Sequence, residues 1–345
     1  MGLIRDAVGT LIDAFRASHT KHEATTRSQP ILEQLTREPR FLTAILERYV
    51  TRAGSFDRKN YPVVGMGLAL NPHFSLVANC WIPLPGRETH VSTKSIHHHG
   101  DLLLCTATMF GTGYEHWMFS MPQAQDVSRN VWSMDLLDTS LHGRHHVAFV
   151  DHHIAHCPLY PPDLTITLAL WTSRHPVSWQ DHVKRLPFFQ GREAQLRKVA
   201  QALGLRRQLD LKIVENFDFF PKDDGFAAMK ERQEFQLGPN EDHVHSVFHV
   251  IQQTGNDRLA SLIRKQIDDG KVRNGRRTVE KLLTDLAQGK PIEGKLSHGH
   301  YDVPHANFTR DDIQRALAAA LPTGNSNGRK LAAAAHGEAP ARARP

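Results

Sequence analysis

Between about Tyr61 and Trp171 the chain is a succession of short β-branched and apolar runs separated by proline and glycine turns. The runs are PVVGMGLAL (62–70), FSLVANCWIP (74–83), DLLLCTATMFG (101–111), EHWMFSM (115–121), HHVAFVD (145–151) and DLTITLALWT (163–172). Turn signals stand between them at Asn71-Pro72, Pro85-Gly86, Gly111–Gly113 and Pro161-Pro162. Many short strands at this spacing predict an antiparallel sandwich or barrel.

The flanks have a different period. In the opening segment Leu3, Ile4, Val8, Leu11, Ile12 and Phe15 fall on one helical face, which predicts an amphipathic helix docked on the domain rather than lying on a membrane. Pro30 and Pro39 are each expected to open a further helix. Beyond residue 177 a helix is expected to start at Trp179, capped by Ser178, with further helices near 191–203, 241–254, 257–268, 277–288 and 310–321. Gly255, Gly270 and Gly289 stand just past three of the ends and Pro322 past the last. The division expected is a helical segment at 1–55, a β-barrel at 56–176, a helical extension at 177–322 and a disordered tail at 323–345.

Composition narrows the function classes. Of 345 residues, 40% are hydrophobic and 23% charged, which is a soluble globular balance. The formal net charge of +6 is partly a property of the tail, and no Lys/Arg stripe is interleaved with aromatics, so no nucleic-acid partner is expected. No apolar run approaches the roughly 18 residues of a membrane span, and a cytoplasmic location is the expectation. Cys80, Cys105 and Cys157 form neither a CxxC pair nor a disulfide framework. There is no P-loop, GxGxxG or GxSxG motif. Oligomerisation is left open.

Histidine is the outlying residue type. Of 23 histidines, 11 lie between His90 and His156, inside the strand-rich region. They include Ser95-Ile96-His97-His98-His99-Gly100 and Asp151-His152-His153-Ile154-Ala155-His156-Cys157. On an extended strand His97 and His99 share a face and His98 points away. Two such imidazoles can converge on one metal ion if a third ligand comes from elsewhere, and the second cluster offers it.

These residues resemble the two metal motifs of the cupin superfamily. His97-x-His99 is followed by four residues, Leu104 in the place of the family's glutamate, six residues and Gly111. His153 fits the second motif, with Cys157 in the asparagine place. Within the superfamily the chain is most similar to the thiol dioxygenases of the cysteine dioxygenase type, through FSLVANCW (74–81), SIHHH and TLALW (167–171). Their tyrosine on the last strand is matched by Trp171, and their substrate-carboxylate arginine has no counterpart near Tyr61-Pro62. The resemblance implies a jelly-roll barrel, mainly β with added helices, and a three-histidine metal site of His97, His99 and His153. His156 is the alternative third ligand, and Asp151 a supporting partner or carboxylate ligand.

Three neutral imidazoles suit Fe, Zn, Ni or Cu and leave open positions on the ion. Fe(2+) is the expected metal, with Zn, Ni, Cu or Mn as alternatives. The expected function is a mononuclear nonheme iron oxygenase that uses O2 and a small anionic or chelating substrate. A non-redox metal isomerase or lyase, or a non-catalytic binding cupin, is the alternative. His243, His245 and His249 read as polar helix histidines, His298, His300 and His305 as a loop, and Phe217, Phe219 and Phe220 as packing between helices and barrel. Arg144 and Arg174 read as surface charge, and Tyr114 and Trp117 equally as core or pocket wall.

Overall fold

A computed structural model describes residues 2–57, 63–93, 95–100, 102–173, 218–229, 240–295 and 308–320. Three helices come first: α1 (Gly2–Arg16), α2 (Lys21–Arg37) and α3 (Pro39–Thr51). Helix α1 buries Ile4, Ala7 and Leu11, so its apolar stripe is docked within the molecule. Pro39 opens α3 as expected, but Pro30 lies inside α2. The start of α2 is set earlier, by Thr20, whose side chain accepts the Glu23 N–H, a stronger local signal than the proline.

Eleven strands follow in the barrel region: β1 (Val63–Leu70), β2 (Phe74–Trp81), β3 (Ile96–His97), β4 (Leu104–Phe110), β5 (Tyr114–Phe119), β6 (Gln123–Asp126), β7 (Val131–Ser133), β8 (Leu136–His142), β9 (Val147–Val150), β10 (Ala155–Pro158) and β11 (Thr165–Thr172). Two more, β12 (Asp218–Lys222) and β13 (Gly225–Ala228), form a hairpin that returns to the barrel. One sheet has the order β1-β2-β11-β4-β9 and the other β6-β7-β13-β12-β3-β10-β5-β8. All named strand pairs are antiparallel, the expected sandwich of two curled sheets. The hairpin is a departure from a purely helical extension: Asp218 pairs with His97 and Phe219 with Ile96.

The C-terminal region then supplies α4 (Asn240–Gln253), α5 (Ala260–Asp268), α6 (Arg276–Ala287) and α7 (Arg310–Ala320). The helices expected from Trp179 and near 191–203 and the tail at 323–345 lie outside the described residues. Gly111 shows why one turn needs glycine: its φ is +85°, and a Cβ there would stand 2.2 Å from the Leu164 carbonyl oxygen.

Strand alternation divides the side chains into two sets. From β2, β4 and β11, Leu76, Ala78, Cys80, Cys105, Ala107, Ile166, Leu168 and Leu170 point outward into a core shared with α1–α6. The other sheet sends Ile96, Trp117, Phe119, Cys157, Phe219 and Phe226 outward, against Phe308 and Ile313 at α7. The opposite faces of both sheets enclose a cavity of about 450 Å³. The three cysteines are free and buried, and burial pushes the Cys80 and Cys105 thiols up to about 12.

Candidate metal centre

The cavity is lined by His97, His99, His116 and His156 together with Tyr114, Trp81, Trp171, Asn79 and Thr167. His97 sits on β3 and His156 directly opposite it on β10, in register. Their rings are 4.7 Å apart, and His99, just past β3, lies 4.8 Å from each. One ring nitrogen from each of His97, His99 and His156 lies within 4.8 Å of the others. Alternation has the expected effect on His98, which is buried on the other side and faces His153 at 6.0 Å.

Of the two candidates for the third position, it is His156 and not His153 that the fold brings to the pair. His153 occupies the turn before β10 with φ +60°, and its N–H donates to the Gly100 carbonyl. The turn spends that residue on reversing the chain, and the strand that follows delivers His156. Asp151 stays on the surface, bonded to His22 and His152.

The ring orientations fit a divalent ion. His97 Nδ1–H donates to the Ser95 carbonyl at 3.2 Å, which makes Nε2 the lone-pair nitrogen of that ring. His99 Nε2 and His156 Nε2 face each other at 2.8 Å. Two lone pairs at that distance repel, so a proton or a cation must lie between the nitrogens. The far side of His156 is fixed as well, because Nδ1 contacts His116 Nε2 at 2.8 Å. If Nδ1–H donates there, Nε2 is the ligand atom, which is how supporting residues set the tautomer of a metal-bound imidazole. Trp171 packs edge-on against His99 at 4.1 Å.

Burial, with the neighbouring imidazoles adding to it, holds His99, His116 and His156 well below the usual histidine range. They are neutral at pH 7, the form that binds a metal. Burial also pushes the Tyr114 phenol up to about 12, so it stays protonated. Among the described residues, no Asp, Glu, Lys or Arg lines the cavity. Leu104, at the motif's glutamate place, contributes instead to an apolar wall with Val150 and Ala169.

Other residues singled out in the sequence take separate places. His243 also lines the cavity, while its Nε2 contacts Ser55 O at 3.0 Å and Tyr49 Oη at 2.9 Å. His249 Nδ1 donates to the Ile292 carbonyl. His243, His245 and His249 do not converge as a ligand group among the described residues. Arg144 lies in a separate cleft near Arg37 and His145, away from the barrel interior. Trp117 and Phe219 are core on the outer face, whereas Tyr114 is cavity wall. Arg174, Phe217, His298, His300 and His305 lie outside the described residues. His116 was not singled out from the sequence, although Tyr114-x-His116 carries the same alternation as His97-x-His99.

No family model matches the chain, and no curated protein matches it. Solved structures do. An uncharacterized conserved protein with a double-stranded β-helix domain from Klebsiella pneumoniae is 12% identical over 37% of this chain and 85% of its own, at a TM-score of 0.22. A cupin domain from Bordetella pertussis is 8% identical over 34% of this chain and 98% of its own, at a TM-score of 0.20. A structure from work on the DMSP lyases RdDddP and RnDddQII is 10% identical over 51% of this chain and 96% of its own, at a TM-score of 0.24. At these TM-scores the likenesses carry no argument about this chain. The strand order itself shows two antiparallel sheets that enclose the cavity as the expected jelly-roll sandwich, with helices at the N-terminal side and a helical C-terminal region.

Proposed function

We propose that the barrel is a mononuclear metal site of the three-histidine type, with His97, His99 and His156 as ligands, and that the chain is a nonheme iron oxygenase acting on a small molecule. The observation that carries this reading is the convergence of three imidazole nitrogens within 4.8 Å on the wall of a cavity of about 450 Å³. Neutral imidazoles are borderline ligands that suit Fe, Zn, Cu or Ni, and with no carboxylate among the described lining residues these ligands leave the ion's charge uncompensated. A bound divalent ion would supply Lewis acidity and, as iron, a redox centre for O2.

The chain's own side chains define what can bind. Among the described residues no cation lines the cavity to pair with a carboxylate, so an anionic or chelating substrate depends on the ion and on neutral donors. Tyr114 supplies a protonated phenol in the lining. The apolar wall of Leu104, Val150 and Ala169 receives the carbon skeleton of a bound molecule and keeps water from that side. His116 keeps the His156 ring in place, and Trp171 backs His99. Such fixed surroundings position reactants, and positioning supplies much of the rate in sites of this kind.

The test is metal analysis of tag-free protein together with O2-uptake screening over thiols, amino acids and diketones. About one equivalent of iron, lost in a His97→Ala, His99→Ala double variant, and metal-dependent O2 uptake with one substrate class are expected. Trace metal that is the same in wild type and double variant would sink the reading. Turnover that continues under strict exclusion of O2 would move the assignment to a lyase or isomerase on the same ligands.

A further inference from the structure

A second set of metal-binding groups lies on the outside of the barrel. His22 is the second residue of α2, and Asp151 and His152 follow β9. His22 Nε2 is 2.7 Å and His152 Nδ1 2.5 Å from the same oxygen, Asp151 Oδ1. That oxygen also accepts the His152 backbone N–H at 2.7 Å. Three donors on one carboxylate oxygen exceed the two acceptor sites that one oxygen offers. Two imidazole lone pairs and a carboxylate around one cation satisfy the same three side chains without that competition.

The convergence is imposed by the fold. The Thr20 cap fixes the start of α2 and thereby His22. On the barrel side, Ile154 N–H bonds to the Asp151 carbonyl and His153 N–H to the Gly100 carbonyl, which holds the turn that carries Asp151 and His152. The two imidazoles meet edge to face with centroids 5.4 Å apart. The side chains are 40–51% exposed, so water can complete the coordination of an ion and the rings can adjust. Ligand atoms about a tetrahedral Zn2+ lie roughly 3.3 Å apart, which asks for an opening of under about 1 Å from the present spacing.

We propose that His22, Asp151 and His152 form a second, surface site for a divalent first-row cation such as Zn2+, clipping α2 to the turn before β10. This site shares no ligand with the barrel site and does not depend on the function proposed there. Its chemistry is that of two imidazoles and one carboxylate. Its effect is mechanical, because the turn it braces leads within four residues to His156.

The experiment is equilibrium dialysis of the full, tag-free chain against Zn2+, with metal quantified per folded protein. Wild type is expected to hold two equivalents. A His22→Ala, His152→Ala variant and a His97→Ala, His99→Ala variant are each expected to hold one. The surface side chains are exposed and lie outside the core, so the first variant should fold. In the barrel variant, added Zn2+ should still raise the thermal midpoint, and Asp151→Asn in that background should remove the shift. If His22→Ala, His152→Ala leaves the stoichiometry at the wild-type value, the inference is overturned. If the barrel variant alone abolishes all Zn2+ binding, it is likewise overturned. A wild-type stoichiometry of one that only the surface variant loses would support this site and refute the barrel reading.

Discussion

The two faces of strand β11 do opposite work. Ile166, Leu168 and Leu170 point out of the barrel and are buried with the helices, whereas Thr167, Ala169 and Trp171 point into the cavity. The same contrast runs through β5, where Trp117 and Phe119 face outward and Tyr114 and His116 inward. In a small barrel without a helical cover the interior side chains must themselves be the core. Here helices α1–α6 share one apolar core with the outer face of the five-stranded sheet, and each large aliphatic side chain buried there contributes about 1.5–3 kcal/mol. The interior is thereby free to hold four imidazoles, a phenol and open space. Apolar packing sits outside the barrel and the candidate site inside it.

The largest test of that division is Leu168→Ala. Leu168 is fully buried on the outer face, so its truncation should cost about 2–5 kcal/mol in chemical denaturation. Metal content of the remaining folded protein should be unchanged. Loss of metal without loss of stability would break the division.

Acid probes the interior instead. Burial, aided by the charge of His146, lowers His142 to about 4 from an ordinary 6.5. Its ring is packed among His116, Tyr114 and His146, with Asp138 acting weakly in the opposite direction. Above pH 6.5 neither folded nor unfolded chain is protonated at this residue, and stability is whole. As pH falls from 6.5 towards 4 the unfolded chain binds a proton that the folded one refuses, and up to about 3 kcal/mol is lost across that window. Denaturation midpoints at pH 7 and 4.5 should therefore differ less in His142→Gln than in wild type. An equal difference in both would remove His142 from the account.

The smallest effect is expected from His116→Gln. Its role is to hold His156 through one ring contact, so metal affinity should fall by about 10–100-fold with little change in folding stability. Competition against a chelator measures this directly. Unchanged affinity would mean that His156 is oriented by its strand alone.

The alternating runs at 62–83, 101–121 and 163–172 made the barrel legible, because period-2 patterning and Pro/Gly turns survive in any context. That His97 and His99 share one face was legible for the same reason. Which histidine of the second cluster faces them was not. Motif spacing favours His153, but which histidine faces inward depends on where the turn ends and β10 begins. That boundary is set by the left-handed φ of His153 and by the pairing of His156 with His97. Neither is a local property of the sequence. The hairpin at 218–228 carried a readable turn signal, Asp224-Gly225, between Phe-rich and Ala-rich runs, yet its partner strand lies more than 120 residues earlier. The surface set of His22, Asp151 and His152 joins residues 129 positions apart and left no pattern at all.

The two-residue strand β3 has a bearing on synthesis. It is flanked by β10 on one side and β12 on the other, and Ser95 is tied to Asp218 by a hydrogen bond of 2.8 Å. While the chain is being made, every histidine of the barrel site emerges well before residue 218. Until then the strand that carries His97 has an open edge, and closing it brings together residues over 120 positions apart, a slow kind of contact to form. The strand that carries His97 is thus completed by the last described part of the barrel to arrive, so an ion captured by the nascent chain would meet a half-built wall.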